Sequence, residues 1–290
     1  MSINDTDPKK TVGEVLKWAS SFLKMNRREP YIAEWVMKEL FSWTITDLLS
    51  RRQTHLTEEQ WTAYKQAIEE CADGRPPQQV VGHEWFYGRP FTVTPDTLIP
   101  RPETEEWFHR YLKMLPEKAL KVLDIGTGSG VLAVSHKLER PQDKVTAVDI
   151  SPEALAVARK NAWNMGADVN FMESDVTEKV TGSFDLVLSN PPYISQNERS
   201  EMDESVLNFE PQLALFADDE GLYFYKKMAE ALPRLMNKDG HIILEYGYRQ
   251  GEQVKAIFEQ AFPEADVVIW KDMSGHDRAL HISHIDQERQ

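Results

Sequence analysis

Cysteine is nearly missing from this chain: Cys71 is the one thiol in 290 residues. An intrachain disulfide and a cysteine-based zinc cluster are both excluded, which fits a reducing compartment such as the cytoplasm. Long apolar runs are missing too. None exceeds five residues, whereas a membrane-spanning helix needs about 20. The opening stretch MSINDTDPKK has no apolar segment of the kind a secretory signal requires. Basic charge is scarce, with 33 Lys and Arg against 47 Asp and Glu, a formal net charge of −14. Such a chain is repelled by phosphate backbones unless a local basic patch intervenes. Residues 1–85 carry 11 basic and 13 acidic side chains and residues 86–290 carry 22 and 34, so neither part is a basic platform. Repeats and low-complexity tracts are absent. His276, His281 and His284 have no accompanying thiols or carboxylates in a metal-ligand pattern, so no metal is expected.

The texture that is present changes once. Before residue 75, Val12, Val15, Leu16, Ala19, Phe22 and Leu23 recur at the three- and four-residue spacing of one helix face. Thr57 with Gln60 forms a capping box that opens another helix through Trp61, Tyr64 and Ile68. Residues 1–75 therefore read as a small helical bundle, with Trp18, Trp35, Trp43, Trp61 and Trp85 of the first 85 residues expected in its core, or one or two of them on a partner-binding face. Gly74-Arg75-Pro76-Pro77 is a breaker. Residues 84–93 read as a β-hairpin turning at Gly88, inside a hinge over 76–102.

Residues 103–290 read as one α/β domain. Strands are expected at 122–125, 145–150, 169–172, 184–189, 241–246, 267–270 and 279–283. Helices are expected around 132–138, 154–164, 223–236 and 252–262, with Ser151 as an N-cap and Pro152 in the first turn. This alternation predicts a doubly wound, Rossmann-like parallel sheet. Only residues 271–278 separate the last two strands. A parallel return needs a dozen or more residues, so the closing pair is antiparallel.

Asp124-Ile125-Gly126-Thr127-Gly128-Ser129-Gly130 leaves the first strand and enters a helix. Its third glycine comes one residue too early for the dinucleotide fingerprint. The spacing resembles the nucleotide loop of class I S-adenosylmethionine (SAM) methyltransferases. SAM carries an ammonium and a sulfonium and no phosphate. Asp124 suits it, by attracting the ammonium directly or through water, and would repel a pyrophosphate. Asp149, at the end of the second strand, is placed to accept hydrogen bonds from ribose hydroxyls. Asp175 could accept from the adenine amino group and Val176 could cover the ring; a solvated turn is the alternative for both.

The fourth strand stops at Asn190-Pro191-Pro192-Tyr193, because two prolines cannot continue a central strand. A planar amide or aromatic amine nitrogen is a poor nucleophile, since its lone pair is delocalised. Two acceptors gripping its two N–H groups favour pyramidalisation and aim the lone pair at a sulfonium methyl. Asn190 offers a side-chain carbonyl, Pro191 a backbone carbonyl held by its fixed φ, and Tyr193 a ring for the flat target. Orientation alone can contribute about 7–11 kcal/mol in favourable cases.

With these residues the chain resembles the protein-(glutamine-N5) methyltransferases that modify peptide-chain release factors, the PrmC or HemK family. The resemblance is carried by Ile99-Pro100-Arg101-Pro102-Glu103-Thr104-Glu105, Asp124 to Gly130, Asp149-Ile150-Ser151, Asn190 to Ile194, Phe209-Glu210-Pro211, Asp219-Glu220-Gly221-Leu222, and Glu245-Tyr246-Gly247 with Gln250. It implies that Gly126, Thr127, Gly128, Ser129, Gly130 and Asp149 hold SAM. It also implies that Asn190, Pro191, Pro192 and Tyr193 receive the glutamine of a Gly-Gly-Gln loop, with Asn190 near the cofactor as well. Residues 1–75 would then be the release-factor-binding domain and 103–290 the catalytic domain. Val176 departs from relatives that have a larger aromatic there. Pro100, Arg101 and Glu103 are expected to wall the cleft, to brace the Asn190 loop, or to strap the domains. The rival readings are an N6-adenine DNA methyltransferase, which must flip a base and grip phosphates, a non-catalytic SAM-binding module, and an NAD oxidoreductase.

Overall fold

The computed structural model describes residues 10–285; most of the polar opening stretch read for a signal lies outside them. The chain forms two compact units. One comprises residues up to His83 together with Asp203–Phe209, and the other comprises Glu84–Met202 and Glu210 onward.

The first unit contains α1 (Val12–Met25), α2 (Ile32–Phe41), α3 (Ile45–Ser50), α4 (Glu58–Ala72) and α5 (Pro77–Val81). Capping boxes open α1 at Thr11, α3 at Thr44 and α4 at Thr57. Its core is made of Val15, Leu23, Val36, Met37, Tyr64 and Ile68. The expected tryptophan core is corrected: Trp18, Trp35, Trp43 and Trp61 are only partly buried around that core, and Trp85 is exposed outside it. An indole is large and seldom fully buried; here Trp18 stacks on Phe22 and meets Trp61 edge-on beside that core.

The second unit opens with a hairpin that includes β1 (His83–Phe86) and β2 (Arg89–Thr92), then α6 (Pro102–Leu112). The main elements follow as β3 (Lys121–Ile125), α7 (Val131–Glu139), β4 (Lys144–Asp149), α8 (Pro152–Met165), β5 (Val169–Glu173) and β6 (Phe184–Ser189). After β6 come α9 (Glu204–Phe209), which belongs to the first unit, and α10 (Gln212–Leu215). The chain closes with α11 (Tyr223–Ala231), β7 (Met236–Glu245), α12 (Gly251–Ala261), β8 (Asp266–Lys271) and β9 (Asp277–Ser283). The helix expected through residue 236 ends sooner. Pro233 turns the chain into a short 3-10 segment, and β7 begins at Met236.

The strand order is β5-β4-β3-β6-β7-β9-β8, with β9 antiparallel to both neighbours. Alternate residues feed opposite faces, as a strand's period of two requires. Leu123, Ile125 and Val187 pack with Tyr225, Met228, Val254 and Phe258 on one side. Val122, Leu186 and Leu188 pack with Phe108, Leu132 and Ala162 on the other. With both faces covered, the open crevice lies beyond the carboxyl ends of β3, β4 and β6, where the strand order reverses. Among the described residues, no helix is long and apolar enough to cross a membrane.

Candidate active site

A cleft of about 390 Å³ lies at those strand ends. Residue Ile125 of β3 pairs in register with Ser189 of β6. Ser189 Oγ also donates to the Ile125 carbonyl at 2.7 Å. Gly126 and Asn190 therefore leave adjacent strands, which run about 4.8 Å apart. Gly126, Thr127, Gly128, Ser129, Asp149, Asp175, Val176, Asn190, Pro191 and Pro192 all line the cleft.

Gly130, Tyr193 and Asp124 are sequence-predicted residues that do not line it. Gly130 sits at the start of α7 with φ +85°, and a Cβ there would come within 3.1 Å of Ala158 Cβ. Its role is to bring α7 against α8. The Tyr193 ring is turned away, and a Cβ on Gly247 would lie 3.2 Å from its Cδ2. Burial raises the Tyr193 phenol well above its ordinary range, so it is a neutral, packed ring. Its carbonyl accepts from Gln250 Nε2 at 2.9 Å.

The carboxylates differ in their surroundings. Asp149 accepts from the Gly128 N–H at 2.8 Å and from the Ser151 N–H at 3.0 Å. It therefore shapes the glycine loop while each oxygen retains a second lone pair. Burial raises its pKa, opposed by these backbone donors. Asp124 is fully buried beneath the loop. One of its oxygens accepts from Thr127 Oγ1 at 2.6 Å and from the Ala133 N–H at 3.2 Å. The other, Oδ1, has no partner among the described residues. Burial pushes its carboxyl up to about 7, partly offset by the hydrogen bonds from Thr127 and Ala133. Asp175 is paired with Lys227 at 2.7 Å, and that hydrogen bond raises the Lys227 pKa. Val176 takes φ +50° beside the cleft.

The segment before α6 divides among the roles expected for it. Pro100 and Arg101 wall the cleft, and Glu103 faces elsewhere. Arg101 donates to Glu210 Oε1 at 2.6 Å, and the Ile99 N–H donates to Glu210 Oε2 at 3.0 Å. Sequence reasoning left Thr104, Trp107, Glu245 and Gln250 without roles. Three of them stood inside the motifs already quoted, but apart from Gly247, three residues before Gln250, the partners of their side chains lie 30 to 141 residues away.

The donor set fits SAM. Among the described cleft-lining residues are the acids Asp96, Asp149, Glu153 and Asp175 and the cation Arg101; Glu210 neutralises Arg101 and Lys227 neutralises Asp175, so the lining stays net acidic through Asp96, Asp149 and Glu153. An acidic pocket suits a ligand bearing an ammonium and a sulfonium, and the unpaired Asp124 Oδ1 suits a cationic donor or a water. The same pocket disfavours a pyrophosphate.

Comparison with known proteins agrees with this geometry. Residues 14–82 match the family model described as PrmC N-terminal domain, and residues 109–208 match Methyltransferase small domain. A release factor glutamine methyltransferase of Enterococcus faecalis is 41% identical over 91% of this chain and 96% of its own. One from Bacillus subtilis is 41% identical over 93% and 97% respectively. Two solved structures share the fold: a methyltransferase from Pyrococcus furiosus (TM-score 0.52, 20% identity, 69% of this chain and 90% of that one), and the hMettl16 catalytic domain (TM-score 0.55, 14% identity, 81% and 86%). An α/β class I SAM methyltransferase unit following a helical PrmC-type unit, at this identity over nearly the full length, means that the chain belongs to the release factor glutamine methyltransferase family.

Proposed function

We propose that the chain transfers the methyl group of SAM to the side-chain amide nitrogen of the glutamine in the Gly-Gly-Gln motif of peptide-chain release factors. The products are N5-methylglutamine and S-adenosylhomocysteine. The observation that carries this reading is the shared cleft: the Asn190 corner and the glycine loop leave neighbouring strands into one space. When bound, SAM supplies an electrophilic methyl on a sulfonium.

The chain's own residues supply orientation. Asp149 receives the ribose hydroxyls, and the backbone of Gly126 and Gly128 lets a ligand lie close, since nothing stands within 4 Å of a Cβ built at either. The Asn190 side-chain carbonyl and the Pro191 backbone carbonyl accept the two amide hydrogens of the target glutamine. Once methylated, the nitrogen is cationic and loses a proton readily, so no strong base is needed. Catalysis is positioning at close range. The helical unit contacts the release factor, and the reaction belongs to the cytoplasm; neither DNA nor a membrane is a partner.

The N6-adenine reading presents the same nitrogen geometry, and an acidic chain without a basic face argues against it. Purified protein with labelled SAM is to be offered release factor, a release factor whose Gly-Gly-Gln glutamine is replaced by alanine, and duplex DNA. Label is expected in the first alone. Label in DNA, or in the alanine variant, overturns the reading.

A further inference from the structure

Asn190 is useful only if its amide faces the right way, with oxygen rather than nitrogen toward the target. The structure contains a chain of hydrogen bonds that decides this. Trp107 Nε1 donates to Glu245 Oε2 at 2.8 Å, and Thr104 Oγ1 donates to the same oxygen at 2.7 Å. Asn190 Nδ2 donates to Thr104 Oγ1 at 3.4 Å. Thr104, Trp107 and Glu245 are all buried.

The direction of the chain is not free. An indole N–H can only donate and an ionised carboxylate can only accept, so with Glu245 ionised its Oε2 accepts from both Trp107 and Thr104. The Thr104 hydroxyl gives its one proton to that acceptor, and its oxygen can then only accept. Opposite it, the Asn190 amide must present its NH₂. Turned the other way, the Asn190 oxygen would meet the Thr104 oxygen with no proton between them, an unfavourable contact between two acceptors at the part-buried edge of the cleft. With the nitrogen tied back, Oδ1 is left as the free end of the amide, at the cleft that Asn190 lines.

We propose that Thr104 is a positioning residue: the relay Trp107–Glu245–Thr104 sets the amide of Asn190 so that its carbonyl oxygen faces the glutamine to be methylated. Thr104 does not touch the reacting atoms on this account; it acts through Asn190. The inference rests on the methyl-transfer reading above, and its test has one arm that does not depend on turnover.

Thr104→Val is nearly isosteric and removes the acceptor. Thr104→Ser keeps it. With release factor as substrate, Thr104→Val is expected to lower kcat by 10- to 100-fold while the dissociation constant for SAM, measured by calorimetry, moves by less than threefold. Thr104→Ser should recover kcat to within threefold of wild type. In the protein without SAM, the ¹⁵N-bound Asn190 side-chain amide pair is assigned by its loss in Asn190→Ala. One proton of that pair should be shifted downfield in wild type and Thr104→Ser, and should lose the shift in Thr104→Val. The proposal is overturned if Thr104→Val keeps kcat within twofold, if Thr104→Ser falls as far as Thr104→Val, or if the amide pair is identical in all three. A wild-type protein that labels no release factor overturns the functional reading instead, and the amide spectrum still decides the orientation.

Discussion

At the scale of single residues, Asn190 and Asp149 divide the work, and substitution should separate them. Asn190 sits at the strand end with one polar group to offer the target. Asn190→Ala is expected to leave SAM affinity within about threefold and to lower kcat by at least about 100-fold, a loss of transition-state orientation. Equal loss in both quantities, by calorimetry and single-turnover kinetics, would contradict its role. Asp149 holds the Gly128 and Ser151 N–H groups, and under the proposed function it receives the ribose as well. A hydrogen bond to a charged group contributes about 1.5–3 kcal/mol, so Asp149→Ala should weaken SAM binding by about 10- to 100-fold. Asp149→Asn, which keeps one carbonyl, should fall between. An unchanged dissociation constant in Asp149→Ala would remove the ribose assignment.

At the scale of elements, the segment between β6 and α11 depends on what lies behind it. Gln250 Nε2 donates to the carbonyls of Tyr193 and Glu220 at 2.9 and 3.2 Å, and its Oε1 accepts from the Gly247 N–H at 3.1 Å. Gly221 passes so close to the Tyr193 carbonyl that a Cβ would collide with it. Gln250→Leu fills similar space and strands those carbonyls. It should cost about 1–3 kcal/mol of stability in urea unfolding and lower kcat more than SAM affinity. A variant as stable and active as wild type would mean that the corner holds itself. This dependence also explains what the sequence could and could not reveal. Periodicity and local capping are short-range signals, so the Thr57–Gln60 box, the Ser151 cap and all seven strands of the main sheet could be read from it. Pro233 carried the information that ended α11 early, and composition alone overlooked it. The Thr104–Glu245 and Ile99–Glu210 bonds span 141 and 111 residues. No local pattern announces them, and they follow only from the order in which the strands lie. The placement of Asp203–Phe209 with the helical unit is of the same kind.

At the scale of the whole molecule, an acidic chain also keeps acids inside. The formal charge is −14, yet Asp124 and Glu245 are fully buried and burial raises the pKa of each. For Asp124 the carboxyl moves from an ordinary 3.8 to about 7. Between those two pH values the unfolded chain has lost this proton and the folded chain still holds it. The folded state binds more protons there, so this group's contribution to stability is full below pH about 4, declines as pH rises, and is gone above about 7. Three pH units correspond to roughly 4 kcal/mol at most. Asp143 and Asp272 have lowered pKa values and act with the opposite sign at acid pH, so the raw stability curve mixes both. Asp124→Asn isolates the buried acid. Its carbonyl can replace the oxygen that accepts from Thr127 and Ala133, and its NH₂ takes the place of the unpartnered Oδ1. The Tm difference, Asp124→Asn minus wild type, is expected to climb by several degrees between pH 4 and 7 and then level off. A difference independent of pH would show that Asp124 is ionised throughout and already compensated. In wild type, SAM affinity should rise over the same interval as the carboxylate forms to meet the cationic ligand. In Asp124→Asn that rise should shrink to what Asp149, the other acid at the cleft whose pKa burial raises, contributes.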